Sequence, residues 1–158
     1  MALRRLRHKG DSILHKVSKP VELIDGKIQQ LVDDLLETMY GEAGVGLAAV
    51  QVGVLRRVLV LDVSEERDQP IVIINPVVVS HEGEQTGKEA CLSVKGFTGL
   101  VSRPMVTVVR GLDRHGEEFE LRAEEFMAVA LNHELDHLDG ILYTEKASEL
   151  YNAEGEEE

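Results

Sequence analysis

Apolar positions recur with helical period from about Asp25 to Tyr40, where Ile28, Leu31, Val32, Leu35, Leu36, Met39 and Tyr40 form one stripe. Asp25 stands where a cap belongs and Gly41 where a helix stops, so the spacing predicts a core-packing helix. Beyond it the period changes. Val50 to Val63, with Arg56-Arg57-Val58-Leu59-Val60-Leu61-Asp62-Val63, reads as strand, and Ile71 to Val79 as a strand that Pro76 assigns to a sheet edge or a bulge. Ser80 to Lys88 is polar and predicts a turn. Met105 to Leu112 and Glu118 to Leu121 predict strands joined across Asp113-Arg114-His115-Gly116. A second helix opens at Ala123 or Glu124, with Glu124 and Glu125 in its first turn, and ends near Gly140. Met1 to Glu22 reads as an irregular arm.

A chain of 158 residues, 43% of them hydrophobic, is expected to form a single catalytic-sized domain over residues 1–150. Residues 151–158, rich in glutamate, are expected to be a disordered acidic tail. A formal net charge of −12 argues against direct nucleic-acid binding and against an anionic membrane surface. The basic Arg4-Arg5-Leu6-Arg7-His8-Lys9 reads as a solvated end segment. No apolar run approaches the ~18 residues needed to span a bilayer, and the single cysteine, Cys91, has no internal disulfide partner. Both facts fit a cytoplasmic protein and free Cys91 for chemistry.

The densest chemistry lies in Leu131-Asn132-His133-Glu134-Leu135-Asp136-His137-Leu138-Asp139-Gly140. At ~100° per residue, two histidines four apart on a helix lie within about 40° of each other, so both imidazoles reach one metal ion. Glu134 stands beside them without being needed as a ligand, and a carboxylate near a metal-bound water is a ready general base. A third ligand separates the hydrolase classes. A metzincin-type protease needs histidine at position 143, which is Tyr143. A thermolysin-like protease needs a glutamate on a later helix, and no strong helix presents Glu145 or Glu149. The remaining source is upstream, where Cys91 in Glu89-Ala90-Cys91-Leu92-Ser93 is the one soft donor. Cys91, His133 and His137 leave a fourth position open, as catalytic sites do; a closed structural site needs one more of His8, His15, His81 or His115.

Gly44-Val45-Gly46-Leu47-Ala48-Ala49-Val50-Gln51 formally matches a dinucleotide fingerprint at Gly44, Gly46 and Ala49. The fingerprint needs a strand before the glycines and a helix after them, and here the order is reversed. Such density of small residues implies backbone that approaches something closely, with Gln51 a polar group in apolar surroundings.

Together the three motifs, from Gly44 to Gln51, Glu89 to Ser93 and His133 to His137, resemble those of the peptide deformylases, in the same order. The resemblance runs from about Asp11 to Glu145. It implies an α+β fold with mainly antiparallel sheets packed around a central metal-binding helix. It also implies removal of the N-formyl group from the initiator methionine of nascent polypeptides, with release of formate. The implied cofactor is one divalent metal ion per chain, iron(II) natively, with zinc, nickel or cobalt as alternative occupants, on Cys91, His133 and His137. Glu134 is implied as general base and later acid, and Gln51 and the backbone N–H of Leu92 as oxyanion donors. Val45, Phe126, Val129 and Ala130 correspond to the methionine pocket, and Gly46 and Ala90 to positions along the substrate. Glu89 and Arg103 correspond to a pair that braces the cysteine loop.

Three positions depart from the family pattern. Ala90 replaces a glycine and adds a methyl group where substrate backbone passes, Lys95 replaces a proline, and Asn132 replaces a glutamine. Some relatives dock on the ribosome through a long basic carboxy-terminal helix; the short acidic tail here lends that partnership no support. A metalloprotease and a module that only binds peptide amino termini stay open as competing readings.

Overall fold

Helix α1 spans Gly26–Gly41, and the Asp25 side chain accepts the Ile28 amide at 3.1 Å as its cap. The computed structural model describes residues 3–152. The expected stripe is the buried one: Ile28, Leu31, Val32, Leu35 and Met39 face the core. A cap of this kind is worth about 1 kcal/mol, so most of the helix's stability comes from that buried face.

The strands are β1 (Gly46–Ala48), β2 (Val58–Leu61), β3 (Ile71–Glu82), β4 (Gln85–Cys91), β5 (Val94–Arg103), β6 (Val106–Leu112), β7 (Glu118–Glu124) and β8 (Glu149–Asn152). Among the described residues they form a five-stranded sheet in the order β1-β2-β3-β6-β7 and a three-stranded sheet in the order β4-β5-β8, with every neighbouring pair antiparallel. Helix α2, Phe126–Leu138, packs on β1, β2 and β7 and also reaches β5. The architecture is α+β around that helix. Strand β2 explains why its sequence is apolar throughout: Val58 and Val60 pack toward α1, while Leu59 and Leu61 pack toward Leu131, Leu135 and Leu138 of α2.

Several elements differ from the sequence expectation. The glycine-rich stretch is itself strand β1, and Ala49–Val52 is a 3-10 turn closed by Gly53 at φ 85°. Ala48, Ala49 and Val50 are fully buried, and side chains this small let the chain turn tightly beneath the helix. Pro76 marks a bulge and not an edge, because β3 lies between β2 and β6 with its register shifted between Ile74 and Val77. Asn75 makes the shift at φ 53°, and its side chain binds both the amide and the carbonyl of Val21, stitching the amino-terminal arm to the sheet. The arm is otherwise irregular apart from a 3-10 turn at Ser12–His15, yet it buries Leu6, Leu14 and Val21.

The polar stretch from Ser80 to Lys88 is mostly strand, with only Gly83 and Glu84 between β3 and β4. Exposed hairpin arms satisfy their backbone groups by pairing, and polar side chains on them meet no penalty. Strand β5, through Lys95-Gly96-Phe97-Thr98-Gly99, carries no alternating signal from which a strand would be expected. Strand β7 runs on to Glu124, so α2 opens at Phe126 after Glu125, at φ 54°, and no acidic residue sits in its first turn. Pairing of Glu124 with Val106 and the bond from the Glu125 amide to the Met105 carbonyl, 2.9 Å, hold that stretch in the sheet. Tyr151 and Asn152, expected in the tail, belong to β8, and the rest of that tail lies outside the described residues. None of the described helices is long and apolar enough to cross a membrane.

Candidate metal centre

Helix α2 and the end of strand β4 bring three donors to one point. The Cys91 sulfur, at the last residue of β4, lies 3.3 Å from His137 Nε2, and one donor atom each of Cys91, His133 and His137 lie within 4.8 Å of one another. A tetrahedral ion at ordinary Zn–S and Zn–N bond lengths needs its donors separated by about 3.3–3.6 Å; the Cys91–His137 pair has that separation, and the three donors together have the chemistry of a metal site. Leu131, Leu135 and Leu138 anchor the helix in the core, which turns His133, Glu134 and His137 toward β4. The other histidines stay apart: His81 pairs with Thr107 at 3.0 Å and His15 lies 3.9 Å from Glu145, whose own carboxylate caps the Leu142 amide.

A buried ionic lattice holds the histidine. Arg103 grips Glu89 with two bonds of 2.8 and 2.9 Å and Asp136 with one of 2.6 Å, and Glu89 meets His133 Nδ1 at 2.9 Å. Burial opposes ionisation of Glu89, but the Arg103 and His133 bonds outweigh it and bring the carboxyl down to about 2. An ionised carboxylate only accepts, so Nδ1 of His133 carries a proton and Nε2 is the ring atom left to serve an ion. The Tyr143 ring stacks on His133 with centroids 5.7 Å apart, and its hydroxyl donates to the Phe97 carbonyl at 3.1 Å. Burial pushes His137 well below the usual imidazole range, as do the positive charges of His133 and Arg103, and its Nδ1 has no partner among the described residues.

Glu134 is 5% exposed, and its Oε1 has no hydrogen-bond partner among the described residues. Burial lifts its carboxyl to about 7, against the pull of the neighbouring His133. Its Oε2 sits against the Gly46 backbone, where an added Cβ would stand only 2.7 Å away. At Gly44 an added Cβ would come within 2.8 Å of the Leu92 side chain. These close approaches, and no nucleotide, account for the small residues there. Gln51 is buried: its oxygen accepts the Ala48 amide at 3.0 Å, and its nitrogen donates to Ser93 Oγ at 3.0 Å and faces the Cys91 sulfur at 3.6 Å.

These groups border a cavity of about 420 Å³. Val45 and Gly46 contribute to its wall, as do Ala90 and Leu92 and the apolar Phe126, Val129 and Ala130. Gln51, Cys91, His133 and Glu134 line its inner end, while Arg103 stands behind Glu89. Sequence reasoning did not assign Asp136, Tyr143 or Ser93 a part in the site. Asp136 carried a usable signal, being three residues after His133 on the same helix, but Tyr143 and Ser93 depend on tertiary packing.

The polypeptide deformylase family model matches residues 3–153. A peptide deformylase of Lachnoclostridium phytofermentans is 54% identical over 148 residues, covering 94% of this chain and 91% of the relative. The crystal structure of a peptide deformylase from Legionella pneumophila superposes with a TM-score of 0.90 at 42% identity, covering 93% of this chain and 87% of that one. A class I type b peptide deformylase from Acinetobacter baumannii, solved bound to Met-Ala-Ser, gives 0.86 at 31% identity, covering 92% and 98%.

Proposed function

The chain belongs to the polypeptide deformylase family, and we propose that it hydrolyses the N-formyl group of the initiator methionine of nascent polypeptides with Glu134 as the proton carrier. The observation that carries this reading is the convergence of Cys91, His133 and His137 on one point beside a buried carboxyl poised near 7. Cys91 Sγ and the two imidazoles would hold a divalent ion, iron(II) by preference and zinc, nickel or cobalt as alternatives, which would supply Lewis acidity to water and to the formyl carbonyl.

The rest is done by side chains and backbone of the chain. Glu134, ionised at the start of the cycle, takes the proton from the attacking water and delivers it to the departing amine. Its raised pKa suits both halves, since a carboxyl near neutrality accepts and releases a proton at similar cost. Charge builds on the formyl oxygen, and Gln51 Nε2 and the Leu92 amide are its donors, each worth ~3 kcal/mol of barrier. Val45, Phe126, Val129 and Ala130 receive the methionine side chain, with Gly46 and Ala90 flanking the peptide backbone. Glu89 and Arg103 hold His133 in the tautomer the ion requires. The partner is therefore an N-formyl-methionyl peptide emerging from synthesis in the cytoplasm.

Formyl-Met-Ala-Ser tests this directly. Protein purified without oxygen and loaded with iron(II), nickel, cobalt or zinc should release formate with multiple turnovers in at least one form. No formate from any loaded form, with one ion per chain verified by elemental analysis, would overturn the assignment.

A further inference from the structure

We propose that Arg67 is a positioning residue for this reaction: it clamps the Gly44 carbonyl and so sets where the Gly44–Gly46 wall of the cavity stands. The inference rests on the deformylase reading only for its kinetic consequence. Arg67 lies in the loop between β2 and β3, and its guanidinium donates to the Gly44 carbonyl in a short contact and to the Asp62 carbonyl at 2.6 Å. The same guanidinium lies 5.3 Å from the centre of the Tyr40 ring, at the end of α1. Asp62, fully buried, ties the loop down: its carboxylate accepts the Tyr40 hydroxyl at 2.6 Å, the Ser64 amide at 2.9 Å and the Gln69 amide at 3.1 Å. The Asp62 amide in turn donates to the Val45 carbonyl at 2.9 Å.

Two consecutive carbonyls of the cavity wall, those of Gly44 and Val45, are thus held from one loop that makes no direct contribution to the cavity. The wall has no slack on its inner side. Gly44 abuts Leu92 and Gly46 abuts the Glu134 carboxylate, each too closely to admit a methyl group. A wall released from Arg67 moves away from Leu92 and Glu134, and the cleft widens where the formyl-methionyl backbone has to be gripped. Contacts made equally to bound substrate and transition state act on KM and leave kcat largely unchanged.

The backbone offers a way to separate positioning from folding. Arg67 adopts φ 56°, a left-handed conformation that suits glycine. Arg67→Gly therefore removes the guanidinium while leaving the turn unstrained, and Arg67→Lys keeps a cation that cannot bridge two carbonyls in fixed geometry. For Arg67→Gly we expect KM for formyl-Met-Ala-Ser to rise about tenfold, kcat to stay within about threefold and Tm within about 3 °C of the parent. Arg67→Lys should fall between the two, and free guanidinium far below denaturing concentration should recover part of the lost KM. Amide hydrogen exchange at Val45 and Gly46 should speed up about tenfold in Arg67→Gly, a readout that needs no turnover. Unchanged exchange there, or a parental KM in the folded variant, overturns the clamp, as does a general collapse of Tm. Absence of formate from the parent protein would instead overturn the deformylase reading, and the exchange comparison would still decide the clamp.

Discussion

Glu89 and Glu134 are 7% and 5% exposed and border the same cavity, yet one is held near 2 and the other near 7. Both are almost closed off from solvent, with Glu134 the more deeply enclosed, and the donors around them differ as well. Glu89 receives two bonds from Arg103 and one from His133, whereas Oε1 of Glu134 receives none among the described residues. The first is a fixed anion that orients His133, and the second is a carboxyl whose charge is easily given up. Where a site needs both a scaffold and a proton carrier, depth of burial and hydrogen-bond donors together decide which carboxylate becomes which.

Glu134→Gln should make the largest difference. Formate release is expected to fall by about 10³-fold, within the usual range for losing a general acid-base, with metal content unchanged by elemental analysis. Activity near that of the parent would erase the contrast between the two carboxylates. Glu89→Gln should act on the scaffold instead. It leaves the buried Arg103 guanidinium without its main partner, so denaturant titration should show a loss of about 3–5 kcal/mol. Competition with a chelator should show metal affinity lower by about 10–100-fold.

The two residues should also respond to pH with opposite signs in metal-free protein. Glu89 ionises near 2 when folded against 4.5 in the reference state, so its contribution to stability is complete above about 4.5 and is lost as pH falls toward 2. Glu134 prefers its proton when folded, so ionising it removes stability as pH rises from about 4.5 through 7. Thermal unfolding of Glu134→Gln should therefore exceed the parent by more at pH 8 than at pH 4.5. The deficit of Glu89→Gln should shrink below pH 3. The smallest expected effect is that of Tyr143→Phe, which removes one neutral hydrogen bond, about 1 kcal/mol, and keeps the ring on His133, so metal affinity should not move.

The helix motif was legible because a spacing of four residues on a helix is a geometric statement in its own right, and the apolar residues before His133 already placed it in the core. Cys91 was reachable by asking what else in the chain could complete the ligand set. The lattice behind the site was only half legible. Glu89 and Arg103 come from family resemblance, while Asp136, the second carboxylate on Arg103, has no role that the motif alone assigns. Strand β5 escaped notice because its middle is paired on both sides by backbone, with β4 and β8, and so needs no alternating side chains. The start of α2 was misplaced by two or three residues because Glu124 and Glu125 suit a helix dipole locally, but the ladder with β6 claims Glu124 first.

Cys91 is the one sulfhydryl in the chain, it is half-buried, and it belongs to the candidate ligand cluster. A colorimetric thiol reagent therefore has a single place to react. One equivalent should titrate in apoprotein and almost none when an ion is seated, so occupancy can be counted in a cuvette without measuring turnover. With zinc seated, an ion that has no redox chemistry of its own, that sulfur should also react more slowly with peroxide than in the empty protein.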